Sequence, residues 1–135
     1  MWSEYDFQFN DGGRKAAGYK GRAGDCVCRA ICIALNLDYK ETYLELARRQ
    51  KEITGKRSAR NGVNKKVYEQ FLKERGWVWH KAPKFEGRKA YHYDMPEAEA
   101  VIARMAKHLA AVIDTTVHDT WDSTAKMVYG YYAPA

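Results

Sequence analysis

Long apolar runs are missing from this chain of 135 residues. No stretch approaches the roughly 18 consecutive apolar residues that a membrane-spanning helix needs, so no span is predicted. The opening residues, Met1-Trp2-Ser3-Glu4-Tyr5-Asp6, lack a basic stretch followed by an apolar one, and no secretory signal is expected. Cysteine is scarce, and its three copies, Cys26, Cys28 and Cys32, fall within seven residues. An odd and tightly clustered set cannot be the framework of a secreted disulfide scaffold, which leaves free thiols and a cytoplasmic setting as the expectation. Three ligands on one short helix cannot surround a zinc ion either, so no metal or other cofactor is expected. Internal repeats and low-complexity linkers are absent, and residues 1–135 read as one domain of ordinary length.

Acid is the scarcer charge. The 23 Lys and Arg exceed the 17 Asp and Glu, giving a formal net charge of +6. Such a balance favours acidic partners (nucleic acid, an anionic surface or an acidic protein substrate) without choosing among them. What is abundant is apolar and aromatic: 46% of the residues are hydrophobic and 13% aromatic, which excludes disorder as the main state. At this length folding buries roughly two-thirds of the unfolded surface, enough for a core without staples.

Five of the ten glycines lie between Gly12 and Gly24, interleaved with Arg14, Lys15, Lys20 and Arg22. That composition predicts a loop that bends tightly or approaches something closely. A helical run follows directly, from Cys26 to Leu35, with Asp25 as its expected N-cap and Arg29 as its single charge. A helix apolar nearly all round is a buried one. After a break at Asn36-Leu37-Asp38, the spacing of Tyr39, Tyr43, Leu46 and Ala47 predicts an amphipathic second helix. Residues 48–66 carry eight basic residues against one acid, around an expected loop. A third helix is predicted over about Asn64 to Arg75, with Val67, Phe71 and Leu72 inward and Gly76 as its stop.

Trp77-Val78-Trp79-His80 predicts a short strand, and residues 82–96 show no clear pattern. From Glu97 to Ala106 the Ala and Glu content favours helix while the flanking residues favour extended chain, and the sequence leaves both open. Strands are predicted over His108 to Asp114, Val117 to Asp122 and Lys126 to Tyr132, with Thr115-Thr116 as a tight turn. Helices first and strands last is a pattern of α+β architecture.

A thiol with a pKa near about 8.5 is mostly protonated at neutral pH, and a helix N-terminus lowers that value. Cys26 stands there. The amides at a helix start also suit an oxyanion forming on an attacked carbonyl. A base must come from His80, His92, His108 or His118. His108 opens an apolar strand, and a strand turning at Thr115-Thr116 brings Asp119 near the register of His108 to Leu109, where it can orient the imidazole. Cys26, His108 and Asp119 therefore form a coherent nucleophile, base and orienting group, with Asp122 as the alternative third member. Cys28 and Cys32, four residues apart on one helical face, read as core, and His80, His92 and His118 read as polar surface residues.

The order Gly24-Asp25-Cys26 opening a buried helix, then His108 beginning a strand, then Asp119-Thr120-Trp121 on the next, resembles the papain-like cysteine peptidase superfamily. The Asp-Thr-Trp stretch is similar to the Asn-Ser-Trp of papain itself, and the short length to bacteriocin-processing peptidases. The pattern Asp11-Gly12-Gly13-Arg14, Gly24-Asp25-Cys26, Arg29-Ala30, His108-Leu109, Asp119-Thr120 and Val128-Tyr129-Gly130-Tyr131 also resembles a set of uncharacterised phage and bacterial proteins, over nearly the whole chain. The resemblance implies a central buried helix with the Cys at its N-terminus on a C-terminal antiparallel sheet, and a thiol hydrolase acting on a peptide, isopeptide or related amide. One position departs. Papain-like enzymes carry an oxyanion-donating Gln about six residues before the nucleophile, where this chain has Lys20. Three readings stay open there: Lys20 donates as a cation, a backbone amide of the Gly-rich loop substitutes, or the site is inactive. The last leads to a different function class, a binding module whose basic segments 14–22 and 48–66 take nucleic acid or an acidic protein.

Overall fold

A computed structural model describes residues 6–21 and 23–135. Three helices, α1 (Cys26–Leu35), α2 (Tyr39–Thr54) and α3 (Lys65–Glu74), precede most of a six-stranded sheet. The strands are β1 (Phe7–Phe9), β2 (Trp77–Lys81), β3 (Ala100–Met105), β4 (His108–Ile113), β5 (Thr116–Asp119) and β6 (Gly130–Pro134). Their order across the sheet is β1-β5-β4-β3-β6-β2. The architecture is α+β, as the order of patterns predicts. The sheet is mixed rather than antiparallel throughout, because β1 lies parallel to β5 along Phe7–Val117 to Phe9–Asp119. So short a segment shows no strand signal of its own; it is extended because β5 offers it a free edge.

Helix α1 ends where Asn36 adopts a left-handed conformation (φ 55°), with the N–H of Leu37 returning to the carbonyl of Cys32 at 3.0 Å. The next helix starts two residues on, where Asp38 accepts from the N–H of Glu41 at 2.9 Å. Helix α2 continues through the first basic residues to Thr54, and the expected loop, Thr54-Gly55-Lys56-Arg57 and Arg60-Asn61-Gly62, follows from there. Arg48 reaches Glu45 and Glu52 at 2.7 Å each, one turn away on either side, and Arg49 reaches Glu45 at 2.6 Å and Glu74 of α3 at 2.8 Å. These pairs hold the helix together past Ala47 and tie it to α3, which Asn64 caps through the N–H of Lys66.

The sheet is buried on both faces. Ile31 and Cys28 of α1, with Leu46, Val67 and Phe71, pack against Ile102, Leu109 and Tyr132 on one side. On the other, Val101, Ala103, Ala110, Val112 and Val117 meet Met95 and Val128 from the irregular segments. Double burial explains why β3 and β4 read as near-continuous apolar runs rather than alternating ones. It also settles the core of 97–106 as a strand, β3 (Ala100–Met105), paired with β4 from Ala100–Ile113 to Met105–His108, while 97–99 form a turn.

The β4–β5 turn comes one residue earlier than expected. Ile113 pairs with Thr116, and Asp114 and Thr115 both take positive φ (48° and 67°), the geometry of a two-residue hairpin whose twist matches its strands. The last strand begins at Gly130 rather than Lys126. Residues 120–129 are drawn into other bonds: Asp122 accepts from the N–H of Thr124 (3.0 Å) and Val128 donates to the carbonyl of Ala90 (2.8 Å).

Candidate active site

The N-terminus of α1 faces the start of β4, and the site lies between them. Cys26 is half-buried at the first position of α1. Its side chain lines one cavity with His108 and Leu109, close enough for both to favour its thiolate. The Nε2 of His108 lies 2.6 Å from Oδ2 of Asp119, so the ring's other nitrogen, Nδ1, is the one available to the thiol. The β4–β5 ladder pairs Ala111 with His118. Continuing it sets Asp119 opposite Ala110, with His108 as its diagonal neighbour on the same face, a separation an imidazole and a carboxylate can span. The register differs by one or two residues from that expected, yet the sequence-predicted trio is together.

Asp122, the alternative third member, is turned away. Its carboxylate holds the hydroxyl and N–H of Thr124, at 2.5 and 3.0 Å. Asp119 instead is nearly sealed, at 1% exposure, and every partner it has strengthens its charge. Besides His108 it accepts from Arg29 at 2.9 Å, from the N–H of Thr120 at 2.7 Å and from the hydroxyl of Ser123 at 3.0 Å. Burial opposes the carboxylate, but the His108 hydrogen bond and the neighbouring charges win, and its carboxyl is held below the ordinary value.

The same balance recurs at the other two groups. Burial works against the Cys26 thiolate, while His108, the Leu109 backbone and the charge of Arg29 work for it, and the thiol pKa falls below its ordinary value. Burial likewise opposes the imidazolium, but Asp119 and Cys26 raise the His108 pKa above its ordinary value. A thiol moved down and an imidazole moved up favour the thiolate–imidazolium pair over the neutral pair.

Arg29 is the group whose importance exceeds its sequence signal. Only 4% exposed, it bridges Asp119 and Asp25, one turn before it in the helix. Asp25 stands at the N-cap position, but its side chain makes no capping bond. Its carboxylate takes Arg29 through one oxygen and the hydroxyl of Tyr39 (2.6 Å) through the other. Arg14 from the Gly-rich loop completes this inner network, donating to Tyr39 (2.9 Å) and to the carbonyl of Lys20 (3.1 Å). A lone arginine in an otherwise apolar helix is the signal that was there to be read: a buried cation needs buried carboxylates.

Two cavities adjoin the trio. One, of about 370 Å³, is lined by Cys26 and His108 together with Val63, Tyr68, Arg104, Lys107 and Tyr129. The other, of about 800 Å³, is lined by Asp25, Arg29, Tyr19, Lys20 and Trp121 among others. Lys20 is therefore placed in the larger cavity and not among the residues lining the smaller with Cys26. Trp121 is half-exposed, its ring centroid 4.7 Å from that of His108, and so it shields the imidazole instead of joining the core.

The other cysteines and histidines have structural partners. Cys28 and Cys32 are buried, with the neighbouring Cys32 and burial pushing the Cys28 thiol up. His92 is fully buried rather than a surface residue and bonds the carbonyl of Thr115 at 2.7 Å. His118 meets Asn10 at 3.3 Å, and His80 stacks on Tyr131. Part of the basic charge is also committed: Arg14 and Arg29 lie inside the network, and Arg48 and Arg49 in surface ion pairs. Among the described residues no helix is long and apolar enough to cross a membrane. No protein-family model, no curated protein and no solved structure matches the chain.

Proposed function

We propose that this protein is a thiol hydrolase of papain-like type, cleaving a peptide, isopeptide or related amide. One observation carries the reading: a helix-start thiol and an imidazole line one cavity, and a buried carboxylate holds that imidazole from behind, Asp119 at 2.6 Å from Nε2. The order of Cys, His and Asp along the chain and the α+β architecture agree with the resemblance to papain-like enzymes.

In this mechanism the Cys26 thiolate adds to the carbonyl carbon and the carbonyl oxygen takes the negative charge. The N–H at the first position of α1 meets that oxyanion, with Lys20 as the candidate second donor from the adjoining cavity. Collapse of the adduct breaks the C–N bond. The imidazolium of His108 gives its proton to the departing nitrogen, leaving a thioester on Cys26 and a free amine. Neutral His108 then removes a proton from water, whose oxygen attacks the thioester. Collapse releases the carboxylic acid and restores the thiolate–imidazolium pair. Asp119 keeps its negative charge throughout and holds the ring in place.

The test is the chemistry of the thiol. Cys26 alkylation by iodoacetamide at pH 6–7 is expected to run well above the rate of an unperturbed thiol, read by mass spectrometry of the modified peptide. Amide hydrolysis of a peptide pool should vanish in Cys26→Ala. Ordinary alkylation rates, or hydrolysis that survives Cys26→Ala, would sink the assignment.

A further inference from the structure

The smaller cavity holds the nucleophile and its base, so what else lines it governs what reaches them. Its wall is apolar and aromatic at Val27, Val63, Tyr68 and Tyr129, and its charged groups apart from the reacting pair are Arg104 and Lys107. Among the described residues no Asp or Glu lines it. Arg104 projects from β3 on the helix-bearing side: it alternates with Ala103 and Met105, which face the other core, and shares parity with Ile102, which faces α1.

The partners of this arginine set it apart. Arg29, Arg49 and Arg88 each hold a carboxylate within 2.9 Å. Arg104 is half-buried, and among the described residues its guanidinium is in no ion pair or side-chain hydrogen bond. Its contact is the ring of Trp79, whose centroid lies 5.8 Å from the guanidinium carbon. An aromatic face steadies a guanidinium and leaves its in-plane N–H groups free for an acceptor. Tyr68 lines the same cavity as Arg104 and Cys26, which places the cation in the neighbourhood of the thiol.

Resting on the thiol-hydrolase reading, we propose that Arg104 is a specificity-determining residue that binds the carboxylate of an acidic side chain near the cleaved bond, with Lys107 reinforcing the positive field. A planar guanidinium in a partly dry cleft binds a carboxylate bidentately, and a neutral amide of the same shape cannot supply the second charge-assisted bond. A substrate with Glu or Asp close to the cleaved bond is then preferred over its Gln or Asn counterpart.

The probes are two peptidyl chloromethyl ketones identical except for Glu against Gln, the variable residue placed at the ketone or one position before it. The Cys26 sulfur displaces chloride from either, forming a thioether. In the native protein the Glu probe is expected to label Cys26 at least about tenfold faster than the Gln probe in one of the two placements, equivalent to about 1.4 kcal/mol. With each variant's rates divided by its own iodoacetamide rate, Arg104→Gln should erase that ratio, Arg104→Lys should retain part of it, and Lys107→Gln should reduce it. Thermal melts of each variant verify folding, and Lys107→Gln, at an exposed site, keeps the test open if Arg104→Gln does not fold. Equal rates for Glu and Gln probes in both placements, or a ratio that Arg104→Gln and Arg104→Lys leave unchanged, would overturn the role of Arg104. Slow labelling of Cys26 by every reagent, iodoacetamide included, would instead overturn the hydrolase reading beneath it.

Discussion

Arg29 and Asp119, ninety residues apart in the chain, are joined at 2.9 Å inside the protein. One sits a turn into the helix that carries the thiol, and the other ends the strand that carries the orienting carboxylate. The bond fixes the helix against the sheet at the place where the distance between Cys26 and His108 is decided.

Removing that bridge is expected to be costly. Arg29→Met leaves Asp25 and Asp119 buried at 2% and 1% exposure without their shared cation. Breaking a buried charge pair by deleting one partner typically destabilises by about 3–5 kcal/mol. Urea unfolding measures this, and a change under about 1 kcal/mol would show that Arg29 does not hold the network.

Reactivity should peak in a defined pH window. The thiolate is lost as pH falls through a value below the ordinary thiol pKa, and the imidazolium as pH rises through a value above the ordinary imidazole pKa. Hydrolysis is therefore expected to follow a bell whose two limbs belong to the pair rather than to either residue. Iodoacetamide labelling, which needs only the thiolate, should show the acid limb and then a plateau. A single rise centred near about 8.5 would mean that the thiol is unperturbed.

The two aspartates near the end of β5 should behave differently. Asp119→Asn removes the acceptor that raises the His108 pKa, so the alkaline limb of hydrolysis moves to lower pH. Each unit of displacement weakens the pair about tenfold. Asp122→Asn touches only the turn at Thr124 and should leave both limbs in place. Matching profiles for the two variants would remove Asp119 from its role.

Stability should respond to pH with opposite signs at the two ends of the His108–Asp119 contact. Asp119, held low, contributes fully above the unfolded carboxyl value of about 3.9, and that contribution drains as pH falls through the folded value. His108, held high, contributes fully below about 6.5, and its share is lost as pH rises through the raised folded value. Cys26, held low, gains stability over the same range and offsets this loss, so the decline above about 6.5 is read in Cys26→Ala and should be absent in Cys26→Ala/His108→Gln by urea unfolding across pH. A decline of the same size in both proteins would place its origin elsewhere.

Gly130 offers a test of packing at the β6 end of the sheet. A Cβ there would collide with the Trp79 ring and stand 2.7 Å from the carbonyl oxygen of His80, and the second contact is backbone. Gly130→Ala is expected to cost about 1–3 kcal/mol in urea unfolding, with a change in tryptophan fluorescence. Native stability in Gly130→Ala would show that β2 shifts freely.

The trio was legible because each member sits at the start or end of an element with a clear local signal. Cys26 follows a glycine-rich loop and opens an apolar run, His108 opens a buried strand, and Asp119 lies past a tight turn. What was not legible depends on distant partners. Three residues at Phe7–Phe9 become a strand only because β5 has an open edge. The Ala and Glu of 97–106 suit a helix in isolation, but burial between two cores makes Ala100–Met105 a strand. Asp25 has the residue type of a cap, yet a buried arginine one turn later outcompetes the helix amides for its carboxylate. The basic stretch after Ala47 carries no apolar stripe, and ion pairs to Glu45, Glu52 and Glu74 extend the helix instead.

The parallel pairing of β1 with β5, sealed by the N–H of Asn10 on the carbonyl of Asp119 (2.9 Å), bears on how the protein is made. During synthesis the helix bearing Cys26 leaves the ribosome well before His108 and Asp119, which follow it in the chain. The first strand has no edge to join until then, since such distant pairings form late in folding. A nascent chain thus carries an ordinary thiol. Under the proposed function, the reactive thiolate forms only when the completed sheet brings His108 and Asp119 to Cys26, so the order of synthesis keeps the thiol silent until folding is finished.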